Sequence, residues 1–498
     1  MLFVNTLVLT PILISRLGRE QFGILALVTP FLRYGFNGVF DLGVATGLVR
    51  FVSRDFAAGD FKSINKYFVG ALLLNILAGV SMLALYGLVS LLIPRSLLGF
   101  DTHLYNTAQT VLWQLLWIYA LLLLSNPFFA LLMGIQKVHL SHFVGTVSLL
   151  VELIGILALL PFGLTISRVV LVYAIGAVLS TFLCVVLVRH HFPSLRLETV
   201  PRGSVLELVH YTARWSVIVS ASSLSPVIDK LLLARFVGLS YVAIYEAAAR
   251  LVEILKRATQ LFLLPLFPIA GAVVPNQSKE ETQSFYQRFF GVNLAFNAGL
   301  YLIPATMTFG ILRIWLGPEM SRTAGWAFLV LSVTAFVLAV AYPAVLMLAG
   351  TGRMRLLVVA ALTALSLNIF LSPVLAKHFG FRGLLAGTVF VYGGQSLIIL
   401  VSLQSQKEFA LHGGSFLRGT LVAVASAVLP GLIFLRIFGQ ELQTSRLVEI
   451  GVLNIVIYCS ALLTLQENRN SAVSVILHCR KMITAWLAER TAGPISQT

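Results

Sequence analysis

Long apolar runs, each closed by a glycine, a proline or a few charges, follow one another from the first residues almost to the last. They cover residues 2–17, 22–49, 64–94, 105–134, 140–164 and 167–189, then 215–238, 241–272, 286–316, 323–350, 354–376 and 382–404, and finally 415–438 and 445–465. Most reach the ~20 residues with which an α-helix crosses a bilayer. Lipid offers the backbone no hydrogen-bond partner, so such segments must be helical. The pattern predicts an all-α polytopic membrane protein of about fourteen transmembrane helices in groups of six, six and two. The run 2–17 is short, so this span either docks without crossing fully or lacks a turn. It starts with no basic n-region or small-residue cleavage site, which reads as no signal peptide.

Five regions follow: a six-helix bundle at 1–190, a basic connector at 191–214 with an amphipathic piece from Val205 to Arg214, a second six-helix bundle at 215–405, two further spans within 413–467, and a tail at 468–498, amphipathic near Val473 to Leu487. An internal repeat supports six plus six. Pro127, Gly134, Lys137 and Glu152 recur 216 residues on as Pro343, Gly350, Arg353 and Asn368, and ILISRLG, ending at Gly18, recurs as LLARFVG, ending at Gly238. An even number of spans per repeat makes the repeat parallel. Two pseudo-symmetric bundles then flank a central cavity, where a substrate site near the midplane is expected.

Composition removes the soluble alternatives. Of 498 residues 58% are hydrophobic and 11% charged, and mean hydropathy is +0.93. The net charge of +16 would suggest nucleic acid in a soluble chain. Here it follows the positive-inside rule, since Arg50, Arg54, Lys62, Lys66, Lys137, Arg189, Arg353 and Lys407 fall on one side of the predicted topology, which places both termini in the cytoplasm. Cys184, Cys459 and Cys479 show no pairing or metal-ligand spacing. No GxxxxGK[ST], GxSxG, HExxH or DxD motif points to an ATP-driven motor, hydrolysis or sugar transfer, so the chain reads as a non-enzyme without a cofactor.

Candidate chemistry therefore lies in ionisable residues inside the spans, which normally face water or substrate. In YVAIYEAAARLVEILKRATQLFLLPLFP, Glu246, Arg250, Glu253, Arg257 and Gln260 step by four, three, four and three along one helical face. The second span carries Arg33, Asn37 and Asp41 at i, i+4 and i+8. Arg33, Lys230, Arg250 and Arg257 suit an anionic substrate, above all a phosphate or diphosphate. The alternative is that Arg250 and Arg257 neutralise Glu246 and Glu253. The carboxylates Asp41, Glu152, Asp229, Glu246 and Glu253 are candidates for coupling to H+ or Na+, with Asn37 and Gln260 as cavity-lining residues. Asp229 follows Pro226 in SASSLSPVID, where the proline frees backbone carbonyls; the alternative is a hinge with Asp229 paired to Lys230 or to another helix.

RLGREQFGILAL, FDLGVATGLVRFVSRDFAAGD and VIDKLLLARFVGLSYVAIYEAAARL resemble the polysaccharide transporters of the multidrug/oligosaccharidyl-lipid/polysaccharide exporter superfamily over essentially the whole chain. The positions that carry the resemblance are Gly18, Gly23, Asp41, Gly43, Asp229, Gly238, Tyr245 and Arg250. It implies a flippase that moves undecaprenyl-diphosphate-linked oligosaccharide repeat units of O-antigen, capsule or exopolysaccharide type across the bacterial cytoplasmic membrane by alternating access, coupled to an ion gradient. Its partners are the lipid-linked oligosaccharide, membrane lipids and other polysaccharide-assembly proteins, and the last two spans form a groove for the lipid tail. The alternatives are an exporter of small amphiphiles from the same superfamily, which predicts an acidic, aromatic cavity, and a membrane glycan polymerase or ligase, which needs external catalytic loops.

Overall fold

The computed structural model describes residues 2–30, 43–92, 102–196, 202–263, 279–350, 354–404, 414–438 and 444–464, and among these there is no strand. The helices are α1 (Leu2–Leu17), α2 (Arg19–Pro30), α3 (Val44–Ala57), α4 (Phe61–Leu92), α5 (Thr102–Gly134), α6 (Val138–Leu159), α7 (Ile166–His191), α8 (Arg202–Phe236) and α9 (Leu239–Leu263). There follow α10 (Lys279–Asn297), a π-helical turn (Ala298–Leu302), α11 (Ile303–Thr306), α12 (Thr308–Leu316), α13 (Pro318–Gly350), α14 (Met354–Gln404), α15 (Gly414–Phe438) and α16 (Thr444–Thr464). Eight of the described helices are long and apolar enough to cross a membrane. Large apolar side chains stay uncovered on them, with Leu77 63%, Phe182 62% and Phe370 75% exposed. In water each would forfeit about 1.5–3 kcal/mol of burial, whereas against lipid tails the exposure costs nothing. The chain is a multi-pass membrane protein.

Three departures from the hydropathy pattern have identifiable physical causes. The amphipathic piece before residue 215 is not separate: α8 runs unbroken for 35 residues. No glycine or proline parts Arg214 from Trp215, and the piece is held by protein, with Leu208 buried among Val44, Leu48, Phe51 and Phe68 and the Tyr67 hydroxyl donating to Glu207 Oε2 at 2.6 Å. The expected spans 354–376 and 382–404 are the two arms of α14, which breaks at Gly380 (φ 56°, ψ −133°), a conformation closed to side-chain-bearing residues. The expected span 286–316 is interrupted by the π turn.

The repeat reappears in the element bounds. Helices α5 and α13 are each 33 residues long, contain Pro127 and Pro343, and end on Gly134 and Gly350. Gly18 (φ 80°) and Gly238 (φ 116°) each end one helix in the left-handed half of φ space, with the next beginning one residue later.

The helices gather into two compact units. One comprises α1–α8, α9 as far as Arg250, and Val358–Val391 of α14. Its core joins α3, α4, α5 and α7 through Leu48, Phe51, Phe68, Leu131 and Val188. The other comprises α9 from Leu251, α10–α13, the start of α14 to Leu357, Tyr392 onward in α14, and α15 and α16. There α15 and α16 pack on the π turn through Ala423, Ala427 and Tyr458 against Ala298, Leu302 and Ile303.

Outside the spans, Asp60 caps α4, accepting from the Ser63 amide at 3.0 Å and the Ser63 hydroxyl at 2.6 Å. These bonds, the hydroxyl first, hold its carboxyl below the usual aspartate range. A lowered folded-state value means that the cap stabilises above the ordinary aspartate pKa and is lost as pH falls through the folded one. Amide exchange at the start of α4 is expected to quicken on acidification below the ordinary range in the wild type, and to be fast and pH-insensitive, after correction for intrinsic exchange, in Asp60→Ala.

Candidate functional site

A tight turn brings the chemistry together. At the end of α8 the amides of Val237 and Gly238 both donate to the Leu233 carbonyl, at 2.9 and 2.8 Å, and Gly238 at φ 116° starts the chain back as α9. Asp229 and Lys230, two turns before the corner, then face Tyr245 and Glu246, two turns beyond it. Gly23 of α2 lies directly against the Leu239 carbonyl, leaving no room for a Cβ, so α2 meets the same corner.

Glu246 is the hub. Lys230 Nζ is 2.5 Å from its Oε2 and Arg250 Nε 2.9 Å from its Oε1, so each carboxylate oxygen takes one cation. Arg250 reaches further: Nη1 donates to the Thr10 hydroxyl of α1 at 3.2 Å, and the guanidinium lies 5.3 Å over the Phe22 ring of α2. Lys230 is 4% and Glu246 8% exposed. Charges so buried persist only because they are paired.

Asp229, fully buried beside Lys230 in sequence, takes different partners. Tyr245 donates its hydroxyl to Oδ2 and Asn368 donates its amide to Oδ1, both at 3.2 Å. The Asn368 amide also donates to the Ser225 carbonyl at 3.2 Å, and the Thr388 hydroxyl, near Asp229, donates to the Leu384 carbonyl of its own helix at 3.1 Å. Consecutive helical positions diverge by about 100°, which is why Asp229 and Lys230 serve two separate clusters. Among the described residues, the buried Asn368 Oδ1 and, one turn on, Ser372 Oγ have no hydrogen-bond partner.

This arrangement holds two cations and two carboxylates on α8 and α9, within one unit, braced by α1, α2 and α14. The family described as polysaccharide biosynthesis protein matches residues 3–276, more than half of the chain and the whole of α8 and α9. The chain belongs to this family. The fold of this chain is recognisable in solved structures. An inward-facing multidrug resistance MATE transporter of the MOP superfamily superimposes with TM-score 0.66 at 15% identity, covering 85% of this chain and 94% of the other. The lipid II flippase MurJ, inward closed, gives 0.66 at 14% identity over 92% and 98%. A MOP superfamily transporter from Pyrococcus furiosus gives 0.58 at 15% over 85% and 92%. Among curated proteins none is similar in sequence. This member of the polysaccharide biosynthesis family thus has the fold of the MOP transporters.

The remaining sequence-predicted residues spread around the network. Glu253 pairs with Lys256 at 3.9 Å rather than with Arg257. Arg257 and Gln260 are exposed, and Arg257 makes no ion pair among the described residues. Glu152 lies half-buried on α6, outside the contacts above. Arg33, Asn37 and Asp41 lie outside the described residues. Sequence reasoning passed over Thr10, Phe22, Thr388 and Lys256. It met Asn368 only as the repeat counterpart of Glu152, although a lone asparagine in an apolar run was itself a signal.

Proposed function

We propose that this protein is a flippase for undecaprenyl-diphosphate-linked oligosaccharide repeat units, working by alternating access in the bacterial cytoplasmic membrane, with both termini in the cytoplasm and in company with other polysaccharide-assembly proteins. Two six-helix bundles at 1–190 and 215–405, with two added spans at 413–467, are the moving parts in this reading. One observation carries it: a chain of the polysaccharide biosynthesis family with a MOP transporter fold sets two arginines along α9, and one of them, Arg257, is exposed and without an ion pair among the described residues. A diphosphate needs such a donor, and a charge-assisted hydrogen bond supplies about 1.5–3 kcal/mol. Arg33 and Arg250 are its partners in the proposal. Lys230 joins them only in a state in which Glu246 releases it.

Asp229 is the coupling carboxylate in this reading. The unpartnered side-chain oxygen of Asn368, whose amide bonds Asp229, and that of Ser372 one turn further along the same helix are the additional oxygens a hard cation would take in this reading. A second reading, export of small amphiphiles, has the likeness to the multidrug transporter in its favour.

The deciding experiment follows a fluorescent undecaprenyl-diphosphate oligosaccharide across proteoliposome membranes under imposed H+ and Na+ gradients. Wild type is expected to flip it, and Arg257→Ala to do so at least tenfold more slowly, with Arg257→Lys between. Arg250→Ala is the poorer probe, because it also unbalances Glu246. Transport of small cationic amphiphiles with no movement of lipid-linked glycans sinks the flippase and establishes the exporter.

A further inference from the structure

The π turn sits where a side chain from α16 enters the backbone ladder of the span formed by α10–α12. Tyr458 donates its hydroxyl to the Ala295 carbonyl, and the Gly299 amide faces the Tyr458 hydroxyl oxygen. Carbonyl 295 and amide 299 are the two groups that an uninterrupted α-helix joins. A side chain inserted there opens the ladder, and π turns are one outcome of such insertion. Room for the phenol ring comes from Gly299, where a Cβ would lie 2.6 Å from Tyr458 Cε1. Pro304, without an N–H, removes a further rung on the other side of the turn.

The turn in turn grips α9. Asn297, its N-cap, accepts from the Thr259 hydroxyl at 2.6 Å, and the Tyr301 hydroxyl lies 3.1 Å from the Thr259 hydroxyl oxygen. Asn297 donates its amide to the Asn293 carbonyl and side-chain oxygen, both at 2.8 Å, and Asn293 donates to the Ala339 carbonyl of α13 at 2.9 Å. Asn293 and Asn297 are fully buried, and Thr259 is 4% exposed. Thr259 lies two residues from Arg257, about 200° round the helix. Fixing Thr259 inward fixes Arg257 outward.

We propose that Tyr458 is a positioning residue for Arg257: its hydroxyl holds the π turn, the turn clamps Thr259, and the clamp sets the rotation of α9 that presents the Arg257 guanidinium. The added C-terminal helix pair thereby acts on the substrate-facing cation. The functional consequence rests on the flippase reading; the mechanical one does not.

The test uses the full chain with Cys184, Cys459 and Cys479 replaced by serine and Arg257→Cys introduced, in proteoliposomes, timed with a charged methanethiosulfonate reagent. Tyr458→Phe keeps the ring and removes the hydroxyl. It is expected to change the modification rate at position 257 at least fivefold, Thr259→Val to do the same, and the two together to do no more than either. A cysteine at the exposed Lys62, in the first turn of α4, reports no change. With Arg257 present, Tyr458→Phe raises the half-saturating lipid-diphosphate concentration several-fold while leaving maximal flipping nearly intact, and does nothing in an Arg257→Ala background. Unchanged rates at position 257 in both variants, each eluting as folded protein, overturn the proposal. Altered rates without any flipping by wild type leave the positioning standing and remove the flippase.

Discussion

Glu246→Ala is expected to cost the purified protein about 3–5 kcal/mol, more than any other single change in the network. The carboxylate neutralises two cations at once, Lys230 at 2.5 Å and Arg250 at 2.9 Å, and without it Lys230 is left as a nearly buried ammonium with no counter-charge. Arg250 suffers less, because the Thr10 hydroxyl and the Phe22 ring remain and its side chain is 21% exposed. Arg250→Ala is therefore expected to cost roughly half as much, as Lys230 still balances Glu246. Removing both members of the closer pair reverses the sign of the argument. Lys230→Met with Glu246→Leu takes the desolvated charges away together, and most of the lost stability returns. Thermal unfolding in detergent, read as a double-mutant cycle, measures this directly. A Glu246→Ala protein melting with the wild type, or a double variant no better than Glu246→Ala, would show that the pair does not hold α8 to α9.

The same pair shows how far the sequence could be read. The polar stripe from Glu246 to Gln260 was visible because helical spacing is a linear property, and span ends were visible because glycine, proline and charge punctuate the chain. The internal repeat even anticipated that α5 and α13 would end alike, on Gly134 and Gly350. Pairing was not visible. Arg250 neutralises Glu246, as one reading of the stripe allowed, but the closer partner, Lys230, comes from the preceding helix, and Glu253 takes Lys256 rather than Arg257. Those choices depend on the rotation of each helix, which the Gly238 corner and the Thr259 clamp set through contacts distant in sequence. Asn368 reaches Asp229 across 139 residues, and no spacing rule encodes that. The π turn was equally hidden, since the side chain that opens it is a tyrosine from another helix, which Gly299 only makes room for.

Asp229→Asn is expected to abolish the gradient-driven component of flipping, a loss of about a hundredfold under an imposed gradient, while leaving slow exchange in its absence. The substitution removes the charge that binds a coupling ion and keeps the volume, so packing is spared. Hydrogen bonding is not wholly spared. Asp229 accepts from Tyr245 on one oxygen and from Asn368 on the other, and an asparagine can accept on only one side. One of the two donors then faces an amide N–H, at a cost of about 1–3 kcal/mol, so melting temperature must be followed beside transport. Ser372→Ala separates the ions. If Na+ is coupled, losing the unpartnered Ser372 oxygen raises the Na+ concentration needed for half-maximal flipping several-fold; if a proton is coupled, that change has no effect, because a proton needs only the carboxylate. Full gradient response in a folded Asp229→Asn protein moves coupling away from α8, to the remaining intramembrane carboxylates Asp41, Glu152, Glu246 and Glu253.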